Sequence, residues 1–198
     1  VTYGKIDDGK MDDAEWPLYT HAFEEVESLP IYLCDLPAIR PNQIRRTLRT
    51  LGAKYGDMDL VIVDYIQLAG TDDRAENRTQ EVGKISRSFK EICKEFKVPI
   101  LAAAQLSREV EKRASKRPIL SDLRDSGELE QDADIVMFIY RPEEAGKENA
   151  AEIIVAKQRN GPTGTVHLIF RPHLTKFENA VMHRVDLNGG WMSRKDLQ

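Results

Sequence analysis

Apolar residues recur along this chain in two different periods, and the changes of period mark out its elements. Residues 13–28 place Leu18, Ala22, Phe23 and Val26 on one side of a helix. After Pro30, the short apolar run from Ile31 to Cys34 predicts a strand. Pro41 opens a second helix with Ile44, Leu48 and Leu51 on its apolar face and Gly56 near its end. Leu60 to Val63 is continuously apolar, as expected of a strand buried on both faces. Residues 70–78 are polar without periodicity and predict a loop. The clearest helix follows, with Val82, Ile85, Phe89, Ile92, Cys93 and Phe96 at helical spacing. A second buried strand is predicted over 98–104, entered at Pro99, and a third over 135–140. Between these two strands, residues 106–134 are polar and highly charged. Three further strands are expected at 151–157, 164–170 and 176–182. Helices alternating with apolar strands predict an α/β fold: a central, mostly parallel sheet flanked by helices, with antiparallel strands at the C-terminal end.

Composition narrows this without naming a function. The 198 residues are 41% hydrophobic and 31% charged, which fits one ordinary α/β domain spanning 1–198. A net charge of -4 gives no global signature of nucleic-acid binding, so any such surface must be local. Cys34 and Cys93 lie far apart in apolar stretches and read as buried thiols in a reducing compartment, the cytoplasm. His21, His167, His173 and His183 lack metal-ligand spacing. No signal peptide or membrane span is visible. Val rather than Met at position 1 suggests a fragment of a longer protein.

Candidate chemistry gathers at strand ends. In an open parallel sheet, ligands bind beyond the carboxyl ends of the strands. Val63 is followed by Asp64, and an acid after a hydrophobic strand is what a Walker B element uses to hold Mg²⁺, directly or through a water. The next strand ends Ala104-Gln105, where an amide can touch a γ-phosphate or orient water. Lys157, Gln158 and Arg159 precede a Gly-Pro turn, where cations can be offered to a neighbour's active site. Taken alone, Asp64 reads more simply as the start of a turn, and Gln105 as a polar strand end. Spacing alone does not separate the basic residues from a solvated hairpin end. The stretch from Arg113 to Gly127 mixes cations with small polar residues and carries no aromatic for base stacking, so it suits a phosphodiester backbone without sequence preference. By contrast, GKIDDGKM at residues 4–11 imitates phosphate-loop spacing by coincidence. Only three residues precede it, Met11 stands where Ser or Thr should ligate Mg²⁺, and Asp7 and Asp8 would repel phosphate.

Taken together, LVIVDYIQLAG, AAAQLSREVEKRASKRPILSDLRDSGELEQDADIVMFIYR and AEIIVAKQRNGPTGTV resemble the replicative DNA helicases of the DnaB type, bacterial or phage, in the family's motif order. The resemblance implies a RecA-like P-loop NTPase core using ATP and Mg²⁺, assembled as a homo-hexamer around single-stranded DNA, with primase and a helicase loader as partners. It implies Asp64 as the Walker B acid, Gln105 as the γ-phosphate sensor, and Lys157 and Arg159 as the basic pair beside the adjacent subunit's nucleotide, Arg159 being its arginine finger. Gln158 lies between them in that nucleotide-facing set. Arg124, Asp125 and Gly127 fall on the family's central DNA-contacting loop, where Asp125 replaces the usual Glu. Arg74 and Arg78 fall on a second, variable loop lining the channel. The Walker A loop and the catalytic Glu are expected upstream, so this chain holds about half of an ATP site. Two rival readings are a non-catalytic RecA-like module that has lost its phosphate loop, and another RecA-like ATPase, which the DLRDSGELEQDAD and KQRNGP stretches disfavour.

Overall fold

The computed structural model describes residues 1–72, 75–143 and 149–180, with the side chains of residues 124–126 excepted. In chain order the helices are α1 (Tyr3–Asp7), α2 (Glu15–Glu27), α3 (Pro41–Tyr55), α4 (Arg78–Phe96), α5 (Glu109–Lys112) and α6 (Gly127–Asp132). The strands are β1 (Val61–Val63), β2 (Ile100–Ala102), β3 (Ile135–Tyr140), β4 (Ala150–Gln158), β5 (Gly164–Arg171) and β6 (Lys176–Asn179). Strands β1 and β2 form a parallel pair, and the other four form a second sheet in the order β3-β4-β5-β6, with β5 and β6 antiparallel. The α/β expectation holds, although the parallel sheet has two strands among the described residues.

By its contacts the chain divides into two compact units. One comprises residues 33–138 and 155–163 and contains the main core. There α4 buries Val82, Ile85, Phe89 and Ile92 against Ile44 and Leu48 of α3 and against Val63, Ile66 and Val98. Local chemistry sets the helix ends. Pro41 stands in the first turn of α3, where its missing N–H costs nothing, and the Gln43 side chain accepts the Arg40 N–H at 2.8 Å. Asn77 caps α4 by accepting the Gln80 N–H at 2.9 Å. Gly83 on α4 is a contact point of a different kind. A Cβ there would lie 1.8 Å from a carboxylate oxygen of Glu128, so a larger residue would displace that side chain from its place over α4.

The other unit comprises residues 1–32, 139–154 and the chain from Gly164 onward. Its β5–β6 hairpin pairs Phe170 with Phe177, whose ring centroids are 4.8 Å apart, and Arg141 covers the Phe170 ring at 4.3 Å. Helix α2 forms as expected, yet it buries no residue, and Leu18, Phe23 and Val26 are exposed.

Several expectations are corrected here. Ile31–Cys34 forms no strand: it pairs with no strand among the described residues, and Leu33 is 93% exposed. Cys34 is exposed rather than buried, and Cys93 is half-buried. Ile62 and Leu101 are exposed, so neither β1 nor β2 is covered on both faces. The predicted strand at 176–182 forms over 176–179, and its last two residues lie outside the described ones.

Candidate functional site

Register brings the first two candidates together. Val61, Ile62 and Val63 lie opposite Ile100, Leu101 and Ala102, so the two strands end level. The ladder continues past them, with the Ala103 N–H donating to the Val63 carbonyl at 2.9 Å and the Ile66 N–H to the Ala103 carbonyl at 2.9 Å. Asp64 and Gln105 therefore leave the same, C-terminal edge of a parallel pair, and both are exposed. Beneath Asp64, Val63 and Ile66 are packed into the core, which fixes the main chain that carries the acid.

Beyond Asp64 comes a 3-10 turn, Ile66–Leu68. The Gln67 side chain in this turn exchanges two hydrogen bonds with the main chain of Gln105, at 3.1 and 3.2 Å. Arg78, the first residue of α4, donates its guanidinium to the Gln67 carbonyl and pairs with Glu81. A cleft of about 270 Å³ lies here, lined by Gln67, Arg78, Gln105, Ser107, Asp122 and Leu123 among others. It is smaller than the several hundred Å³ typical of small-molecule pockets.

Asp122 shapes the polar segment 106–126 from inside. It is 6% exposed, and its carboxylate accepts the Ile119 N–H at 2.8 Å and an Arg113 guanidinium N–H at 2.7 Å. Its own carbonyl accepts the Ser107 N–H at 3.0 Å, which ties the far ends of the segment together. The chain then runs through a 3-10 helix, Leu120–Ser126, into exposed Gly127 at the start of α6. Of the other nucleic-acid candidates, Arg74 and the side chains of Arg124 and Asp125 lie outside the described residues.

The basic candidates gather at the end of β4. Lys157 donates its ammonium to the carbonyls of Glu130 and Gln131, the second at 3.3 Å, and Arg159 donates to that of Gln131. These are carbonyls of the last turn of α6, which lack intrahelical donors and carry the negative end of the helix dipole. Arg159 also pairs with Asp134 at 3.3 Å, and its own N–H bonds the Asp134 carbonyl at 2.9 Å. Lys90 of α4 pairs with the same carboxylate. The Lys90 ammonium holds the Asp134 carboxyl below the usual aspartate range, with Arg159 and Lys157 adding to it. Gln158 is half-buried, its amide against Gly161 in the following turn, where a Cβ would lie 2.5 Å from it. Among the described residues no hydrogen bond or ion pair joins the basic pair to Asp64 or Gln105.

Sequence reasoning did not single out Gln67, Asp122 or Asp134. Gln67 carried a signal, being the polar residue within an otherwise apolar run just past a strand. Asp122 carried another, standing three residues after Ile119 as an acid that reaches back to a helix-start N–H.

The residues at the strand ends suit a magnesium nucleotide in part. Asp64 presents the hard oxygen that Mg²⁺ requires, and one or two carboxylates suffice where phosphates and waters fill the remaining positions. The phosphate cradle is not supplied by GKIDDGKM. Gly4 to Asp7 are helical in α1, and Lys10 is paired with Asp8 at 3.0 Å. No described helix is long and apolar enough to cross a membrane.

Comparison with known proteins places this arrangement in a family. The model of the DnaB-like helicase C-terminal domain matches residues 1–179. Replicative DNA helicase DnaB of Geobacillus stearothermophilus is 46% identical over 176 residues, which cover 86% of this chain and 38% of that protein. DnaB of Pasteurella multocida is 42% identical over 191 residues, covering 93% of this chain and 41% of that one. The chain thus spans about two fifths of the length of these curated relatives. Among solved structures, one described as a DnaB-like replicative helicase and its interactions with primase superposes with a TM-score of 0.85 at 37% identity, covering 91% of this chain and 45% of that chain. Another, described as an ATPase domain, gives 0.84 at 38% identity, with 91% and 66% covered. With nine tenths of its length matched by the family model and both strand-end motifs in register, the chain belongs to the DnaB-like helicase C-terminal domain family.

Proposed function

We propose that this chain is part of the ATPase motor of a replicative DNA helicase, a ring of six identical subunits that moves 5′-to-3′ on single-stranded DNA in the cytoplasm. The observation that carries the reading is the register of β1 and β2, which brings an exposed acid and an exposed amide to one edge of a parallel sheet. The names of the curated relatives support it, and so does the primase named in the description of a similar structure. Residues 1–198 form one part of a RecA-like domain whose phosphate loop and water-activating Glu lie elsewhere in the full-length protein.

Bound Mg²⁺-ATP supplies the phosphoanhydride whose cleavage drives movement. Asp64 would hold the metal, directly or through a water, and Gln105 would offer its amide to the γ-phosphate. Lys157 and Arg159, with Gln158 between them, would exchange the carbonyls of α6 for phosphoryl oxygens of the nucleotide bound to the adjacent subunit, where the Arg159 guanidinium would stabilise the charge that builds. Arg124, Asp125 and Gly127 meet the DNA backbone, and Arg74 and Arg78 belong to a second loop lining the channel. Primase and a helicase loader are the expected partners. By itself the chain binds ATP weakly, because no phosphate cradle is among its described residues.

The test is Asp64→Asn in the full-length protein. Turnover is expected to fall on the order of a hundredfold, as when several kcal/mol of metal-borne stabilisation are lost, with the melting temperature near wild type. Turnover at the wild-type rate would remove Asp64 from the metal site.

A further inference from the structure

Gln67 lies in the run that carries Asp64 but has no role of its own in the ATPase reading, yet its side chain makes a paired contact with Gln105. Its amide oxygen accepts the N–H of Gln105 at 3.1 Å, and its amide nitrogen donates to the Gln105 carbonyl at 3.2 Å. A carboxamide is the neutral side chain that offers a donor and an acceptor together, as a peptide unit does. The contact therefore imitates one rung of a strand ladder, and it sits where the real ladder stops. The last main-chain bonds between the two segments are those joining Ala103 to Val63 and Ile66. Two residues later, Gln67 takes over and holds Gln105 as the chain leaves the sheet.

Gln67 is itself well anchored. Ile66 before it and Ala69, which closes the turn, are 1% and 3% exposed. The carbonyl of Gln67 receives the Arg78 guanidinium, which also pairs with Glu81, so the turn is fastened to the first turn of α4. The turn thus has a buried footing, a clamp onto α4, and an amide directed at the main chain of residue 105.

We infer that Gln67 is a positioning residue for Gln105: it fixes the main chain from which the Gln105 carboxamide projects, and so sets where that amide meets the nucleotide. This rests on the reading of Gln105 as a nucleotide-facing group. Gln67 acts through Gln105 and touches no reacting atom. Misplacing a catalytic group by about 1 Å can cost on the order of a hundredfold in rate, so a side chain that only holds main chain can matter to turnover.

Steady-state ATP hydrolysis by the full-length protein tests this with four variants: Gln105→Ala, Gln67→Ala, Gln67→Glu and the double variant Gln67→Ala with Gln105→Ala. Gln105→Ala is expected to lower kcat on the order of a hundredfold, in the range seen when one preorganised donor is removed. Gln67→Ala is expected to lower kcat about tenfold, with KM within about twofold of wild type. Gln67→Glu keeps an acceptor for the Gln105 N–H but sets a second acceptor against the carbonyl, so it falls at least as far. The double variant is expected to be no slower than Gln105→Ala, since the positioned group is gone. Folded, nucleotide-competent protein is counted by active-site titration, so that kcat refers to working sites. A wild-type kcat for Gln67→Ala or Gln67→Glu beside a slow Gln105→Ala overturns the positioning role alone. A double variant slower by the full product of the two single losses does the same, as does a loss accounted for by fewer folded sites. A wild-type kcat for Gln105→Ala overturns the nucleotide role of Gln105, and the positioning role falls with it.

Discussion

The strand ends and the basic turn hold their functional side chains in opposite ways. Asp64 and Gln105 are placed by main-chain register, and their side chains are exposed. Lys157 and Arg159 are placed by their side chains, which bond the carbonyls of α6, with Arg159 also paired to Asp134. For Asp64 the difference follows from side-chain length, while Gln105 is as rotamer-rich as the cations and only its main chain is held, by Gln67. An Asp has little rotamer freedom, so a fixed main chain leaves its carboxylate close to one place. Lys and Arg carry up to about 2 kcal/mol of rotamer entropy and need partners of their own to be held. A group held by the sheet is available as it stands, whereas a group held by its own helix must exchange partners before it acts on another subunit.

The largest expected effect tests that exchange. Arg159→Ala in the full-length protein should lower turnover on the order of a thousandfold or more, while nucleotide affinity stays close to wild type. Mixing it with a variant lacking the phosphate loop should restore part of the activity, because some interfaces then pair an intact nucleotide site with an intact finger. No recovery, with subunit exchange verified independently, would place Arg159 in the service of its own subunit. Lys157→Ala should follow the same pattern.

A smaller effect asks whether the cations of the polar segment work outward on DNA rather than inward on α6. Arg124→Ala should weaken single-stranded DNA binding across sequences and reduce the magnitude of its log-log salt slope by about one, as for a lost phosphate contact. Titrations over a salt series decide it, and a loss confined to particular base sequences would indicate base readout instead.

The smallest concerns the anchor. The Asp134 carboxyl titrates below its ordinary range in the folded chain, chiefly through Lys90, so the unfolded chain binds more protons as the pH drops through that window. The stability that Asp134 contributes is therefore complete above the ordinary aspartate range, near pH ~3.9, and is lost as pH falls through the lower folded value. Asp134→Asn should remove that part of the acid dependence and cost about 0.5 kcal/mol near neutral pH, because the carboxylate is largely exposed. Chemical denaturation at several pH values would measure it, and an unchanged acid slope would dismiss the pairing as a stabilising contact.

Much of this was legible in the sequence, because it depended on local period or on strand ends. The apolar positions of α4 are the ones buried, and β3 spans the residues its apolar run marked. Asp64 and Gln105 could be picked out because each follows an apolar strand, although β2 ends at Ala102, short of the expected Ala104. What escaped depended on partners. The run Ile31–Cys34 has strand chemistry but pairs with no strand among the described residues. Ile62 and Leu101 are as apolar as buried residues but lack covering neighbours. The match of Gln67 to Gln105 exists only once β1 is known to lie beside β2, since 38 residues separate the two in sequence. Asp134 is similar, as 44 residues separate it from Lys90.

Helix α4 has a mechanical consequence. It is 19 residues long, a stiff rod of about 28 Å at 1.5 Å per residue. Near one end, Arg78 grips the turn that carries Gln67; twelve residues on, about 18 Å along the axis, Lys90 grips the acid that holds Arg159. Between these grips, the Glu128 carboxylate rests over Gly83. Through this one continuous element, the turn after Asp64 and the carboxylate beneath the basic pair share a common support.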